Sequence, residues 1–446
     1  MNVVVLSGGT ATNSLTSCFS QISVSENREL TYILPISDNG GSTSEILRVV
    51  GGPAIGDIRA RVAQLVGDPQ VGQLLSYRLP NDSVRAKEEW NSIVEGQHSV
   101  WKDIPTPVKE MCRAFIIHMQ SELLKKTKSA NAFRFEKASV GNFFLTGARL
   151  FLGSLDATVE LLMRIGRCDP HASVIPCIST NHTHHIAALL SNGEVIRGQS
   201  QISHPSKPKA SQSVLPPSIM GGTTSRPTTA AKSDGLDLHS EEEQEEEYAN
   251  PIYILPELKN SQLHFDKLEK EETFSAPIER LLYINPYGEE IKPQGNPRAV
   301  SKIKRADMVV YSIGSLVTSL LPIVILGNIA DIIAESKSTR KVLLINNSYD
   351  RESFWLDGVR YVQLVIESMS RAVQTHRQSK GSKDPTPVLL DWTHFVTDVV
   401  YPIGGEIPIA QEKLESMGIK CHGIDSNKME NESLKQILVQ IGSSKP

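Results

Sequence analysis

Three clusters of glycine and hydroxyl residues have the composition of phosphate-binding loops: Ser7-Gly8-Gly9-Thr10, Asp38-Asn39-Gly40-Gly41-Ser42-Thr43, and Ser312-Ile313-Gly314-Ser315-Leu316-Val317-Thr318-Ser319. Glycine lets backbone N–H groups approach an anion, and a helix N-terminus behind it adds unsatisfied donors and a favourable dipole. The second cluster adds Asp38, which suits Mg²⁺ or a ribose hydroxyl, and Asn39, while Gly40, Gly41 and Ser42 reach a phosphate. Its competing reading is turn chemistry, because Asn-Gly favours a hairpin and Ser42 or Thr43 could cap a helix through Ile46 and Leu47. No alternating strand follows, which weakens the hairpin. Gly56-Asp57-Ile58-Arg59 supplies a carboxylate and a guanidinium; Asp57 suits an N-cap or a ligand contact, and Arg59 suits solvent or bidentate phosphate recognition. The first cluster lacks both the G-x-G-x-x-G spacing and the P-loop lysine, so neither fingerprint applies. His182, His184 and His185 have no cysteine or acidic partner at ligand spacing, so a metal site is not expected there.

Each cluster needs a strand to deliver it. Val3 to Leu6, Leu30 to Ile36 and Ala306 to Tyr311 are apolar and partly β-branched, as buried strands are. Their exits converge on the carboxyl edge of a parallel sheet, where open α/β sheets bind ligands. The predicted fold class is therefore α/β, Rossmann-like, with three α/β/α layers around a mostly parallel sheet. Residues 81–137 are charged, carry Trp90 and Trp101, and read as a helical cap or lid insertion. Ser139-Val140-Gly141-Asn142 opens a long apolar helix. Val174 to Ile178, His184 to Leu190 and Glu194 to Gly198 read as an antiparallel extension, with further strands at Ile278 to Ile284, Lys341 to Ile345 and near Val388 to Asp391. Residues 205–250 are Pro-, Ser- and Thr-rich with an acidic run from Glu241 to Glu247, the composition of a disordered low-complexity insertion. A tolerated surface insertion is favoured over a regulatory or docking tail. Residues 1–204 and 251–446 then form a single assembly.

The bulk composition narrows the function classes. A length of 446 residues exceeds one ordinary core, and 39% hydrophobic with 22% charged residues fits a globular protein. A formal charge of −4 predicts no general affinity for nucleic acid or an anionic membrane. Five scattered cysteines without a C-x-x-C pair read as reduced thiols, hence a cytoplasmic setting. The N-terminus, which lacks a basic stretch before an apolar run, makes a poor signal peptide. Val309 to Ala334 is almost uncharged, but Gly314, Pro322, Asn328 and several hydroxyls break it into strand, loop and helix rather than a membrane span.

Taken together, these motifs resemble the CofD/YvcK family of 2-phospho-L-lactate transferases and gluconeogenesis-factor-like proteins. The resemblance is carried by the three clusters, Gly56-Asp57-Ile58-Arg59, Gly141-Asn142 and Ala306-Asp307, in matching order and strand context. It implies a nucleotide diphosphate or nucleotide sugar at the carboxyl edge. One branch transfers phospholactate from a guanosine diphosphate conjugate with Mg²⁺; the other binds a UDP-sugar as a metabolic regulator without catalysis. Carried over residue by residue, Gly8, Gly9 and Thr10 would face the ligand, and Asp38 would be the catalytic or metal-holding carboxylate. Gly40, Gly41, Ser42, Gly314, Ser315 and Thr318 would line the diphosphate, with Asn142 nearby. The expected partners are a nucleotide-type small molecule and, if it assembles, further copies of the chain. Ala11 after Thr10, Ser44-Glu45, Ala138 and Ser312-Ile313 depart from the family pattern. They replace, respectively, a glycine, a glycine and basic residue, a histidine and a Gly-Pro pair. The cradle survives these changes better than groups for proton transfer or charge neutralisation do.

Overall fold

The computed structural model describes residues 1–24, 28–37, 40–127, 132–203, 273–381 and 391–444. Its centre is a seven-stranded sheet, every pairing parallel, built from β1 (Val3–Leu6), β2 (Leu30–Leu34), β3 (Ala172–Pro176), β8 (Met308–Tyr311), β9 (Arg340–Leu344), β10 (Asp398–Pro402) and β11 (Lys420–Ile424). The order across the sheet is β11-β10-β9-β8-β1-β2-β3. The inner strands β1, β2 and β8 are buried along their whole length, as helices covering both faces of a parallel sheet require. This is the three-layer Rossmann-like architecture. A smaller antiparallel sheet, in the order β5-β4-β6-β7, is formed by β4 (His185–Leu190), β5 (Val195–Arg197), β6 (Ile278–Ile284) and β7 (Glu290–Ile291).

One strand assignment needs correction. Val174 and Ile175 do not belong to the antiparallel extension: β3 pairs parallel with β2, Leu30 opposite Ala172. An apolar pair of this kind looks the same locally in either sheet, and only the long helical crossover from β2 decides it. The strand expected near Val388 to Asp391 lies, apart from Asp391, outside the described residues; further along the chain β10 has Val399 and Val400 fully buried. The apolar run after Val309 breaks, as its composition predicts, into β8, a turn and two helical pieces bent by 75°. Among the described residues, no single helix is long and apolar enough to cross a membrane. The acidic insertion lies outside the described residues.

Helices α1 (Thr16–Val24), α2 (Gly41–Val49), α3 (Gly56–Leu65) and α4 (Pro69–Ser76) follow the first two strands. Asp68 caps α4 by accepting from the Gln70 and Val71 amides, with Pro69 in the first turn. Residues 81–137 supply α5 (Ser83–Glu95) and α6 (Thr106–Lys126), which pack on α7 (Val140–Leu152). Trp90, fully buried, stacks on Phe135, lies 4.3 Å from the Phe143 ring and donates to Gln120 at 2.6 Å, so the insertion is bound to α7 through an aromatic core.

Glu45 joins this layer to α2. The side chain is fully buried, accepts from Arg48 Nε at 3.0 Å and from the Arg134 amide at 2.9 Å, and so fixes the segment entering α7. Burial alone would raise its pKa, but the bonds and charges of Arg48 and Arg134 hold it below the ordinary carboxylate value. Breaking a buried pair from one side leaves the other side uncompensated, so Glu45→Ala is expected to destabilise the protein by about 3 kcal/mol. Urea unfolding monitored by fluorescence should show a lower midpoint at an unchanged slope; an unmoved midpoint would remove Glu45 from this role.

Candidate functional site

In the large sheet the winding reverses between β1 and β8: β2 and β3 lie to one side, β9 to β11 to the other. Loops leaving the two strands at such a seam part toward opposite faces and open a crevice, the usual ligand position in open α/β sheets. The loops are Ser7–Thr10 and Ser312–Ser315, so the first and third sequence clusters meet here.

The first loop is glycine because its neighbours leave no room for a side chain. A Cβ on Gly8 would stand 2.5 Å from Ser319 Oγ, and one on Gly9 would stand 2.6 Å from the Asp57 Cα. Thr10 is exposed at the start of a 3-10 turn, Ala11–Leu15. Gly314 adopts φ +140°, a region that L side chains rarely enter. Thr12 ties the two loops together, its hydroxyl 3.0 Å from Ser312 Oγ and donating to the Ile313 carbonyl at 3.0 Å. Asn346, just beyond β9, donates to the Gly314 carbonyl at 2.8 Å and accepts from its amide at 3.1 Å.

After Ser315 the chain makes a π-helical turn, Leu316–Leu320, a local departure that recurs at functional sites. A buried carboxylate holds it. Glu352 accepts from the Val317 and Thr318 amides at 3.0 Å each, and from the Thr318 and Ser203 hydroxyls at 2.6 Å each. Thr318, expected to line the ligand, is therefore engaged inside the protein; the hydroxyl against Gly8 is that of Ser319. Burial, together with the Asp350 charge, pushes Glu352 up to about 7 against the pull of its donors.

On the opposite wall, Asp57 presses on Gly9 from the first turn of α3. Arg59 Nε donates to Asn142 Oδ1 at 3.3 Å, and Asn142 Nδ2 reaches Ser42 Oγ at 3.2 Å and Thr43 Oγ1 at 3.4 Å. Ser42, Asn142 and Arg59 thus form one chain of hydrogen bonds linking α2, α7 and α3. Burial lowers the Arg59 pKa to about 10, the Arg78 charge adds to this, and Asp57 opposes it. Arg59 and Arg78 therefore stand within electrostatic reach of each other, with Asp57 as the opposing charge on Arg59. Gly40 enters α2 extended, and Gly41, at φ +55°, points its missing Cβ into open space. Asp38 and Asn39 lie outside the described residues. Ala138, where the family pattern has histidine, is fully buried. Among the described residues, no three His, Cys, Asp or Glu side chains cluster to hold a metal ion; His184 Nδ1 lies 3.1 Å from the His182 carbonyl instead.

Ser319, Asn346 and Glu352 were not among the residues expected at the site. Ser319 was within the third cluster and Asn346 stands at a strand exit, so the logic that found the glycine loops reaches both. Glu352 carries no local signal, because its partners are 34 and 149 positions away in the chain.

A family model described as 2-phospho-L-lactate transferase CofD matches residues 3–430. The chain belongs to the CofD family. It is 64% identical over 446 residues, 99% of each chain, to Uncharacterized protein YNL011C of Saccharomyces cerevisiae. It is 22% identical over 180 residues, 39% of this chain and 56% of that one, to a Thermotoga maritima protein named as a gluconeogenesis factor. Crystal structures of a UPF0052 family protein from Bacillus halodurans share the fold, with TM-scores of 0.58 and 0.55 at 14% identity over 98% of this chain and 99% of that one. In this chain the seam between β1 and β8 is lined by two of the motifs that carry the resemblance, Ser7–Thr10 and Ser312–Ser315.

The raised Glu352 pKa has a consequence for stability. Its folded-state value, about 7, lies above the ordinary 4.5, so the folded protein keeps a proton that the unfolded chain loses. The associated stability is fully present below about pH 4.5 and is lost as pH rises to 7, on the order of 3 kcal/mol. Relative to Glu352→Gln, the wild-type melting temperature should therefore fall between pH 5 and about 7 and level off above it. Parallel profiles for the two proteins would show that Glu352 does not titrate in this window.

Proposed function

We propose that the β1–β8 crevice binds a nucleoside diphosphate or nucleotide sugar. The diphosphate lies against the backbone of Gly8, Gly9, Gly314 and Ser315, with Arg59 contributing positive charge. The observation that carries this reading is the pair of facing glycine loops at the switch point, closed against side chains on one side by Asp57 and Ser319. Such a surface offers N–H donors at close range, and the adjoining guanidiniums supply the charge a diphosphate needs.

Transfer of a phosphate-linked group is a second reading, supported by membership of the CofD family. Mg²⁺ is commonly held by one or two carboxylates together with substrate phosphates, and Asp57 beside Gly9 offers a hard carboxylate oxygen; Asp38, the carboxylate that the resemblance implies, lies outside the described residues. When bound, it would withdraw charge from the phosphoryl oxygens. The non-catalytic alternative, a sensor of UDP-sugars, is supported by buried Ala138 and by Glu45, which is committed to Arg48 and Arg134. A cytoplasmic location belongs to the same proposal, supported by five cysteines that are all free.

Calorimetry on the full chain with UDP, GDP and UDP-sugars, with and without Mg²⁺, tests binding. Arg59→Gln is expected to weaken the nucleotide that binds by about tenfold or more, through loss of a charge-assisted contact. Gly9→Ala, which would force a Cβ to within 2.6 Å of the Asp57 Cα, should reduce binding further. Absence of binding by every nucleotide, or an unchanged affinity in both variants, overturns the reading. Release of nucleoside mono- or diphosphate from a bound conjugate in the presence of metabolite extract separates the transferase from the sensor.

A further inference from the structure

A second arginine stands with Arg59 at the start of α7. Arg78 follows α4, and backbone pairing fixes its segment to that helix end. Arg78 and Ser139 form an antiparallel bridge, the Leu79 amide donates to the Ala138 carbonyl at 2.9 Å, and the Val140 amide donates to the Tyr77 carbonyl at 3.0 Å. Arg59 reaches the same turn from α3. Its stem lies across Gly141, where a Cβ would overlap the Leu75 carbonyl and stand 2.9 Å from Arg59 Cγ. The missing side chain of Gly141 is therefore what lets Arg59 meet Asn142. The turn also touches the second glycine loop, because the Ser139 amide and Asn142 Nδ2 both reach Ser42 Oγ, at 3.4 and 3.2 Å.

The protein uses little of either guanidinium. Arg59 bonds through Nε alone, to Asn142, and Arg78 through Nη1 alone, to the Lys137 carbonyl at 3.2 Å. Neither makes an ion pair among the described residues. Arg61, on the same helix as Arg59, has Nε and Nη2 sealed in the core without partners, whereas the terminal nitrogens of Arg59 keep accessible surface. Arg78 is exposed. The Arg78 charge adds to burial in lowering the Arg59 pKa, so the two cations act on each other with Asp57 as the opposing charge on Arg59. Like charges held within reach of one another disfavour their own ionised forms, and an anion between them reverses the sign of that interaction.

The charge of the candidate ligands differs at one place. In a nucleotide sugar each phosphoryl group is a diester carrying one negative charge, and a neutral sugar follows. A free nucleoside diphosphate ends in a phosphoryl group with three free oxygens and a second ionisation near pH 6, so at neutral pH it carries about one charge more. Planar guanidiniums recognise such a group through parallel N–H bonds. Arg59 lies two residues from Asp57, which packs on Gly9, and Arg78 stands one helix end further out.

We propose that Arg78 is a further ligand-binding residue that grips the terminal phosphoryl group together with Arg59, and that this pair makes the crevice select free nucleoside diphosphates over nucleotide sugars. The inference rests on the crevice binding nucleotides at all, and it decides between the two ligand classes named for it.

Calorimetry on the full-length chain at about pH 7.5, where the terminal phosphoryl group is a dianion, compares UDP with UDP-glucose and GDP with GDP-mannose. For the base that binds, the free diphosphate should bind about tenfold or more tightly than its sugar conjugate. Arg78→Gln should weaken the free diphosphate about tenfold and the conjugate less than about threefold, which removes the preference. Arg78→Lys keeps the charge and should recover most of it, whereas Arg59→Gln should weaken both ligands. The readout is a ratio of two affinities in one protein, so a loss of folded material leaves it unmoved. The proposal is overturned, with the crevice reading intact, if the wild type binds the conjugate at least as tightly, or if Arg78→Gln keeps the wild-type ratio. If no nucleotide binds, the crevice reading fails and the role of Arg78 falls with it.

Discussion

The backbone of Gly8 and Gly9 lies so near Ser319 and Asp57 that a methyl group at either glycine would overlap them, at 2.5 and 2.6 Å. That close approach determines how β1, the π-helical turn after β8 and the first turn of α3 fit together. Asp57 meets Gly9 through its own backbone, so the contact cannot be relieved by moving the end of a flexible side chain. The same absence of side chains brings the backbone of both glycines, itself buried, up to the seam of the sheet.

The parts around this seam are held by buried charge, used in two ways. Glu45 meets the guanidinium of Arg48 and the Arg134 amide, and its pKa falls despite complete burial of its side chain. Glu352 meets only neutral donors, so burial prevails and its pKa rises to about 7. The difference follows from the opposite charges beside Glu45, which offset its lost hydration, and from the like charge of Asp350 near Glu352, which adds to the effect of burial. Glu45 therefore acts as a fixed link between α2 and the helical layer. Glu352 shapes the π-helical turn through three acceptor contacts to Val317 and Thr318, with a fourth to Ser203, and it is the Ser319 hydroxyl that stands against Gly8.

The sheet and its loops were legible because each relevant strand is a short apolar run ending in glycine, and such runs encode both burial and exit. The assignment of Val174 and Ile175 failed because the sheet a short apolar strand joins depends on a crossover of more than a hundred residues, not on local pattern. Arg59 and Asn142 were legible as polar residues at helix starts, but their direct hydrogen bond was not. Glu45 illustrates the harder case: beside the glycine loop it reads as a lost basic group, and only the fold shows that it faces away into a buried ion pair. Long-range polar partners leave no periodic trace in the chain.

Binding and catalysis make different demands on this crevice. The diphosphate of the proposed function would be held by many weak, redundant donors, mostly backbone, which survive changes of side chain as long as the glycines remain. Transfer needs a proton acceptor or donor placed to within hydrogen-bond reach of one reacting atom. The family histidine position is occupied here by Ala138, whose methyl is sealed in the core. Among the described residues, Asp57 is the carboxylate that packs against the glycine loop, where a transfer step would need a group of that kind. The cradle is therefore the more robust property, and a protein could retain it while changing its chemistry.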